Sequence, residues 1–207
     1  WRKIMFMDYG YANPSAVYWA AINYDGQVIV YRELYETGLT YEKLGQKIAE
    51  MTPEEEWSSI QHFVIPHDMF KQSETTGVLV WQIMKQGMNK FQPTLIQGDN
   101  DRVSGWGVMR EYLKPYPGPD GKTTSKLLFT ENCNHAIDTI PSLVYDAIRP
   151  EDVDTDSEDH AGDSVRLGLK SLKVRPTEQG YKPKQEEDPA VERFNKKMKR
   201  LKALGIR

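Results

Sequence analysis

Two carboxylates and an imidazole stand at helical spacing in the segment SEDHAGDSVRLGLKSL, residues 157–172. Asp159 and Asp163 are four residues apart and His160 is three before Asp163, so all three side chains can reach one helix face. Acids at a helix start are favoured by the helix dipole, so Asp159 alone could be a cap and is a secondary candidate. Asp163 lies one turn inside the helix, where capping does not explain it. We expect Asp163 to ligate a metal ion, and His160 either to ligate Mn²⁺ or to hold Asp163 in place.

Two further aspartates follow predicted strands. Asp8 ends an apolar run at 4–7, and Asp68 lies just beyond HFVIP at 62–66. Ligand sites in open sheets form outside the carboxyl ends of strands, so both would share a rim if the first and fourth strands are parallel neighbours. Three carboxylates gathered there repel one another unless cations neutralise them, and hard oxygen donors suit Mg²⁺ or Mn²⁺. Alternatively, Asp8 makes a turn with Gly10, and Asp68 is an ordinary loop residue.

With a pair of bound metal ions, these residues could catalyse a hydrolytic reaction. Two divalent ions about 3.5–4 Å apart can activate a water and stabilise the leaving oxygen in phosphodiester cleavage. In that arrangement Asp8 and Asp163 hold one ion, and Asp8 with Asp68 holds the other. The sequence therefore predicts a two-metal site for Mg²⁺ or Mn²⁺.

The elements that must position these side chains follow from hydrophobic periodicity and turn signals. A hairpin turn is predicted at Asp25-Gly26, a helix N-cap at Thr40, and a kink or break at Pro141. The predicted strands are 4–7, the two arms of 15–36, 62–66, 93–98 and 126–130; the predicted helices are 41–51, 76–89, 101–113, 132–148 and 157–172. Three antiparallel strands followed by alternating helices and strands predict an α/β protein with a mixed sheet and helices on both faces. This is the element order of the ribonuclease H-like fold.

Composition is that of an ordinary globular protein: 207 residues, 39% hydrophobic, with a formal net charge of −3. The single cysteine, Cys133, excludes an internal disulfide framework and a thiolate zinc site, and favours a reducing compartment. No apolar run is long enough for a membrane span, and no secretory signal pattern is present. We expect one domain over 1–173 and a charged tail over 174–207, comprising a linker and a short basic helix. Because the chain opens on Trp1 inside a strand pattern, we expect it to be a fragment of a longer polypeptide.

Local charge is uneven although the net charge is small. Residues 151–159 carry six acids, and residues 193–207 carry seven basic residues and no acid. Basic side chains near the rim could contact DNA phosphates, or could be solvated surface; these are Arg102, Lys114, Lys122 and Lys126. The turn-rich excursion 115–126 is predicted to be a hairpin tip, and we hypothesise that it is a flap controlling access to the site.

Three segments resemble the nuclease domain in the large terminase subunits of tailed double-stranded DNA viruses. They are FMDYGYANPSAVYWAAINYDGQVIVYRELYETGLT, GDNDRVSGWGVMREYL and VYDAIRPEDVDTDSEDHAGDSVRLGL. The resemblance implies a ribonuclease H-like fold and a nuclease that uses divalent metal ions to cut viral DNA concatemers around packaging. By motif, it implies that Asp8, Asp68 and Asp163 bind metal with His160 in support.

The same resemblance implies partners and a location. The partners are double-stranded DNA, an ATPase motor domain upstream, the portal and the small terminase subunit. The location is the cytoplasm of the host cell rather than the mature virion. No phosphate loop is expected in this chain, because DGKTT at 120–124 has Tyr116 where that motif needs glycine. We therefore expect DNA cutting without ATP hydrolysis.

Other functions stay open on the residues alone. A ribonuclease H-like domain can bind nucleic acid without cutting it, and the chain could also be a different nuclease of this fold, such as a junction resolvase. An actin-like phosphotransfer domain also begins with Asp-x-Gly after a strand, but its second glycine-rich turn is missing. Little sequence specificity is expected, because nothing in the sequence indicates a base-recognition helix.

Overall fold

A computed structural model of the chain describes residues 1–118, 120–154 and 157–172. The predicted charged tail, residues 174–207, lies outside these ranges. Within them, no helix is both long and apolar enough to cross a membrane.

A six-stranded mixed sheet forms the centre of the fold. Its strands are β1 (Arg2–Asp8), β2 (Ser15–Ile22), β3 (Val28–Glu36), β4 (Ile60–Ile65), β5 (Leu95–Gln97) and, after the short hairpin strands β6 (Tyr116–Pro117) and β7 (Thr123–Thr124), β8 (Leu127–Phe129). The strand order is β5-β4-β1-β2-β3-β8. The first three strands pair antiparallel, while β4 and β5 extend one edge in parallel and β8 pairs in parallel with β3. The predicted mixed α/β architecture is confirmed. β1 pairs in parallel with β4, which is the condition set above for Asp8 and Asp68 to share a rim.

The hairpin between β2 and β3 forms at the predicted turn. Gly26 has φ +78°, a conformation that glycine adopts without steric cost, and the Asn23 side chain accepts hydrogen bonds from the backbone of Asp25 and Gln27. All eight residues of β2 are buried. This strand therefore lies at the centre of the sheet, covered on both faces.

Helices cover both faces of the sheet, as predicted. They are α1 (Tyr41–Met51), α2 (Glu54–Trp57), α3 (Val80–Met88), α4 (Arg102–Leu113), α5 (Asn134–Thr139) and α6 (His160–Ser171). Alternate residues of β1 enter two separate cores. Ile4 and Phe6 pack in the core that includes residues of α4, α5 and α6, whereas Met5 and Met7 pack with α1 and α3.

The helix starts follow local capping chemistry. Thr40 caps α1 by accepting a hydrogen bond from the backbone of Lys43, as predicted, and Asp101 caps α4 through Ser104. The helix predicted over 76–89 begins only at Val80, because Gln72 and Leu79 form an isolated β-bridge just before it.

The prediction of one helix over 132–148 is wrong beyond its first turns. α5 ends at Thr139, a short 3₁₀ turn spans Ile140–Ser142, and no helix follows up to residue 148. Pro141 lacks the backbone N–H that a continuing helix needs. Two apolar residues expected on the buried side, Val144 and Ile148, are consequently exposed, and Ile148 reaches 89% of its maximal exposure.

A separate two-stranded hairpin precedes β8. Its strands, β6 and β7, pair with each other rather than with the central sheet. Gln27 touches the end of this hairpin by donating to the backbone oxygen of Ser125 at 3.0 Å. The predicted hairpin tip is therefore present.

Candidate metal centre

Asp8 ends β1 at the carboxyl end of a central strand, between β2 and β4. Its side chain is 28% exposed, and its Oδ2 lies 3.3 Å from Nδ1 of His160. Burial raises the pKa of the Asp8 carboxyl; the hydrogen bond with His160 opposes that rise and the negative charge of Asp163 adds to it. Asp8 is thus a largely buried carboxylate close enough to Asp163 to feel its charge.

The helix α6 brings His160 and Asp163 to this strand end. Two glycines allow it to pack closely on its neighbours. A Cβ on Gly168 would stand 2.4 Å from the ring of Phe6 on β1, and one on Gly162 would stand 2.9 Å from the ring of Trp106 on α4. Close packing of α6 against β1 therefore places the first turn of the helix beside Asp8.

His160 faces Asp8 rather than Asp163. The hydrogen bond with Asp8 raises the pKa of His160, burial opposes this, and the surrounding carboxylates raise it further. The imidazolium form of His160 is accordingly more stable beside Asp8 than it is in a free histidine. His160 acts here on the orientation and charge of Asp8.

Asp163 and Asp159 are bound by arginine. Nη1 of Arg102 donates to Oδ2 of Asp163, Nε of Arg166 donates to Oδ1 of Asp163 at 2.6 Å, and Nη2 of Arg102 donates to Asp159 at 3.1 Å. Asp159 occupies the N-cap position of α6 but makes no capping hydrogen bond. Burial raises the pKa of Asp159, and the Asp163 charge adds to that rise. Asp159 is therefore held by an ion pair and not by capping.

The sequence did not reveal Asp152 and Arg166 as parts of this cluster. Asp152 accepts hydrogen bonds from Nε of Arg102 at 3.2 Å and from the indole of Trp106 at 2.9 Å. Arg166 stands three residues after Asp163, and that helical spacing was a usable signal for an ion pair. Asp152 belongs to the acidic run 151–159, where one acid could not be told from the next.

The described contacts of the Asp68 side chain are with its sequence neighbours His67 and Lys71. Asp68 sits in the 3₁₀ turn His67–Phe70 after β4, and its side chain is 70% exposed. The hydrogen bond with Lys71 lowers the pKa of Asp68. The structure shows no contact between Asp68 and Asp8, Asp159 or Asp163 among the residues it describes. Its role as a metal ligand stays a prediction.

The four residues predicted to contact DNA differ in their exposure to solvent. Lys114, Lys122 and Lys126 are exposed, and Lys114 pairs with Glu111 at 2.5 Å. Arg102 is only 25% exposed and all three guanidinium nitrogens bond to carboxylates. Contact of these four residues with DNA stays a prediction.

The donor set fits a hard divalent cation at one position. Asp8 and Asp163 would supply carboxylate oxygens, His160 would orient Asp8 or, in its neutral form, supply an imidazole nitrogen, and the repulsion between the two carboxylates is the condition that a cation relieves. Across residues 1–118, 120–154 and 157–172, no three histidine, cysteine or acidic side chains already stand in a geometry that would hold an ion. The described arrangement therefore corresponds to a carboxylate cluster neutralised by arginine.

Comparison with known structures identifies the fold. The nuclease domain of the P22 large terminase matches with a TM-score of 0.60 at 13% identity, over 82% of this chain and 80% of that domain. The large terminase of a thermophilic bacteriophage matches with a TM-score of 0.57 at 14% identity, over 83% of this chain. The chain spans 40% of the length of that full terminase. The yeast mitochondrial Holliday junction resolvase Ydc2 is more distant, with a TM-score of 0.44 at 12% identity over 81% of this chain and 76% of the resolvase.

Sequence comparison does not assign the chain to a protein family. No protein-family profile matches the chain, and no curated protein sequence is detectably similar to it. The relation to the terminase nuclease domains is therefore one of structure: the chain has their ribonuclease H-like fold.

Proposed function

We propose that this chain is a metal-dependent endonuclease that cuts double-stranded viral DNA concatemers during genome packaging. The observation that carries the proposal is the meeting of Asp8 with the first turns of α6, where His160 and Asp163 stand, at the carboxyl end of a central strand. The likeness in fold to the terminase nuclease domains supports it. A junction of acids from two distant elements is what metal-assisted phosphodiester hydrolysis needs.

In this proposal Asp8 and Asp163 bind the cofactor, Mg²⁺ or Mn²⁺, and His160 fixes the orientation of Asp8. Bound divalent ions would supply a nucleophile from water at neutral pH and would stabilise the leaving oxygen. Asp68 would join as a ligand of a second ion only after its side chain leaves Lys71. The exposed lysines would hold the DNA backbone without reading its sequence.

The packaging context belongs to the same proposal. An ATPase motor domain upstream, the portal and the small terminase subunit would be the partners, in the host cell cytoplasm. The partial coverage of the thermophilic phage terminase supports the idea of a larger packaging protein. Such partners would set the time of cutting, because cleavage with the little sequence specificity expected here would not be timed by the DNA sequence.

The direct test is nicking of supercoiled plasmid by the purified chain with Mn²⁺, with Mg²⁺ and with EDTA. We expect metal-dependent nicking that falls by about 10²-fold or more in Asp8→Asn and in Asp163→Asn, since each loses a charged ligand. Asp25→Asn is the matched control, because Asp25 lies in the exposed β2–β3 turn and Asn-Gly keeps the turn type. Full activity in the two site variants would refute the proposal. DNA binding by a wild-type chain that never nicks would favour the binding-module alternative.

A further inference from the structure

One arginine joins three carboxylates of the candidate metal centre. Arg102 is the first residue of α4, and each of its guanidinium nitrogens donates to a different aspartate: Nε to Asp152, Nη1 to Asp163 and Nη2 to Asp159. Burial alone would lower the pKa of Arg102, but the charges and hydrogen bonds of these carboxylates raise it. The side chain is therefore held as a cation inside the acidic cluster.

Both carboxylate oxygens of Asp163 are already engaged. Oδ2 accepts from Arg102 and Oδ1 accepts from Arg166. A metal ion that coordinates Asp163 must replace at least one of these bonds. The structure thus contains an internal competitor for the position that a divalent ion would take.

The two arginines differ in their freedom to move. Both guanidinium groups lie over the Trp106 ring, at 5.3 Å for Arg166 and 5.7 Å for Arg102. Arg166 is only 6% exposed, however, and its side chain packs beside Gly105 on α4. Arg102 is more exposed and stands at the first turn of its helix, where its side chain can swing toward solvent. Arg102 is consequently the group that a metal ion would displace.

The charge balance of the carboxylate cluster indicates what Arg102 does there. When ionised, Asp8, Asp152, Asp159 and Asp163 carry four formal negative charges, against two guanidinium charges on Arg102 and Arg166 and the one positive charge that His160 carries when protonated. Buried like charges are costly unless cations offset them. Without a metal ion, Arg102 supplies one of the two guanidinium charges and touches three of the four acids.

We infer that Arg102 is a positioning residue that serves as the resident counter-cation of the carboxylate cluster and is exchanged for a divalent ion when the site loads. This inference rests on the proposed function and deepens it, because it assigns a residue that sets the metal concentration at which the site fills. Arg102 keeps Asp159 and Asp163 in place in the metal-free protein and competes with the ion for Asp163.

The test measures Mn²⁺ binding to the full chain by titration calorimetry, without DNA. We expect Arg102→Gln to bind Mn²⁺ at least about tenfold more tightly than the wild type, since a competing positive charge is gone. We expect Arg102→Lys, which keeps the charge, to fall between them. The same Arg102→Gln protein should melt at a lower temperature in EDTA and recover most of the loss on adding Mn²⁺.

Arg32→Gln is the matched control. Arg32 forms a comparably buried ion pair with Glu56 at 2.8 Å, between β3 and α2, and makes no described contact with the cluster. It should lower the melting temperature without changing Mn²⁺ affinity and without recovery on adding Mn²⁺. If Arg102→Gln behaves in the same way, or binds Mn²⁺ more weakly, the inference is overturned.

A measurement on the wild-type chain covers the case in which Arg102→Gln fails to fold. Titration with Mg²⁺ should shift the side-chain Nε–H resonance of Arg102 and speed its exchange with water, while that of Arg32 stays constant. An Arg102 signal that is unchanged at saturating Mg²⁺ contradicts the exchange. If neither the wild type nor any variant binds a divalent ion, the proposed metal-dependent function itself fails; equal binding in all of them removes only the role of Arg102.

Discussion

Asp8 is a carboxylate whose negative charge is destabilised by its surroundings. Burial and the nearby charge of Asp163 keep its pKa above the ordinary value of 3.8, although His160 partly compensates. A carboxyl whose pKa is raised on folding stabilises the protein below its unfolded pKa, and that contribution is lost as pH rises through the folded pKa. At neutral pH the ionised Asp8 therefore destabilises the metal-free protein.

Asp8→Asn should accordingly stabilise the metal-free chain at pH 7 while it removes nicking. We expect a gain on the order of 1 kcal/mol in the free energy of unfolding, an ordinary size for a single substitution, and a gain that shrinks as pH falls toward about 4. Urea unfolding in EDTA at neutral and at mildly acidic pH measures this difference. Asp25→Asn, in an exposed turn, serves as the control with no gain. A site variant that is less stable than the wild type at pH 7 would show that the Asp8 charge is already compensated.

Residue types and spacing could predict that Asp8, His160 and Asp163 are the residues with chemical interest. The α6 spacing put His160 and Asp163 on one face, and the end of a strand put Asp8 at a rim. The arginine partners could not be found in this way, because Arg102 reaches its carboxylates only after α4 packs beside α6. Arg102 was interpreted as a DNA contact since an isolated basic residue gives no sign of its neighbours in space.

Two helices on the opposite face of the sheet cross at glycines. A Cβ on Gly45 of α1 would stand 2.0 Å from the backbone oxygen of Met84, and one on Gly87 of α3 would stand 2.1 Å from that of Glu42. Both distances lie far below any van der Waals contact and involve backbone atoms. The helices therefore approach at a separation that only glycine permits.

Gly45→Ala should destabilise the protein by about 3 kcal/mol, at the upper end of the cost of overpacking, because a backbone must move to admit the methyl group. Gly107→Ala in α4 is the control: a Cβ there meets nothing within 4 Å, and alanine should add about 0.5–1 kcal/mol through helix propensity. Thermal melting of both variants tests this pair. Equal stability of the two would mean that α1 and α3 can separate at little cost.

The β6–β7 hairpin is the element proposed to control access to the site. Its strands pair only with each other, and the described contacts with the main body are few, Gln27 among them. Replacing residues 118–122 by a two-residue Asn-Gly turn should therefore change the melting temperature by less than about 3 °C, the effect of under 1 kcal/mol. Nicking rates should change by about tenfold or more, measured on the same plasmid. Parallel loss of both quantities would count against a gating role.

Element order was the most predictable property of this chain, and element length was less so. Turn chemistry at Asp25-Gly26 and capping at Thr40 are local, so the sequence could indicate them. The helix predicted to 148 ended at Thr139 because one proline outweighed an apolar repeat that continued beyond it. The apolar residues Val144 and Ile148 recur at helical spacing after Pro141, but residues 143–148 form no helix and both side chains are exposed.

At the scale of the whole molecule, the sheet joins strands that are far apart along the described chain. The edge strand β8 pairs with β3, about a hundred residues earlier, and Thr130 of the turn that follows it donates to the backbone oxygen of Val30. Helices on two faces then isolate two cores, and α6 contacts β1, β2 and β4 from one side. Contacts of such long sequence separation fold slowly, because the chain must close large loops first.

The distance along the chain between Asp8 and His160 is 152 residues. A ribosome adding about 5–20 residues per second needs about 8–30 s to bridge that gap. During this interval the nascent polypeptide carries Asp8 without His160 or Asp163, and a reaction that requires them together is withheld until translation has passed α6. Under the proposed function, the nuclease is thereby harmless to nearby DNA while it is still being made.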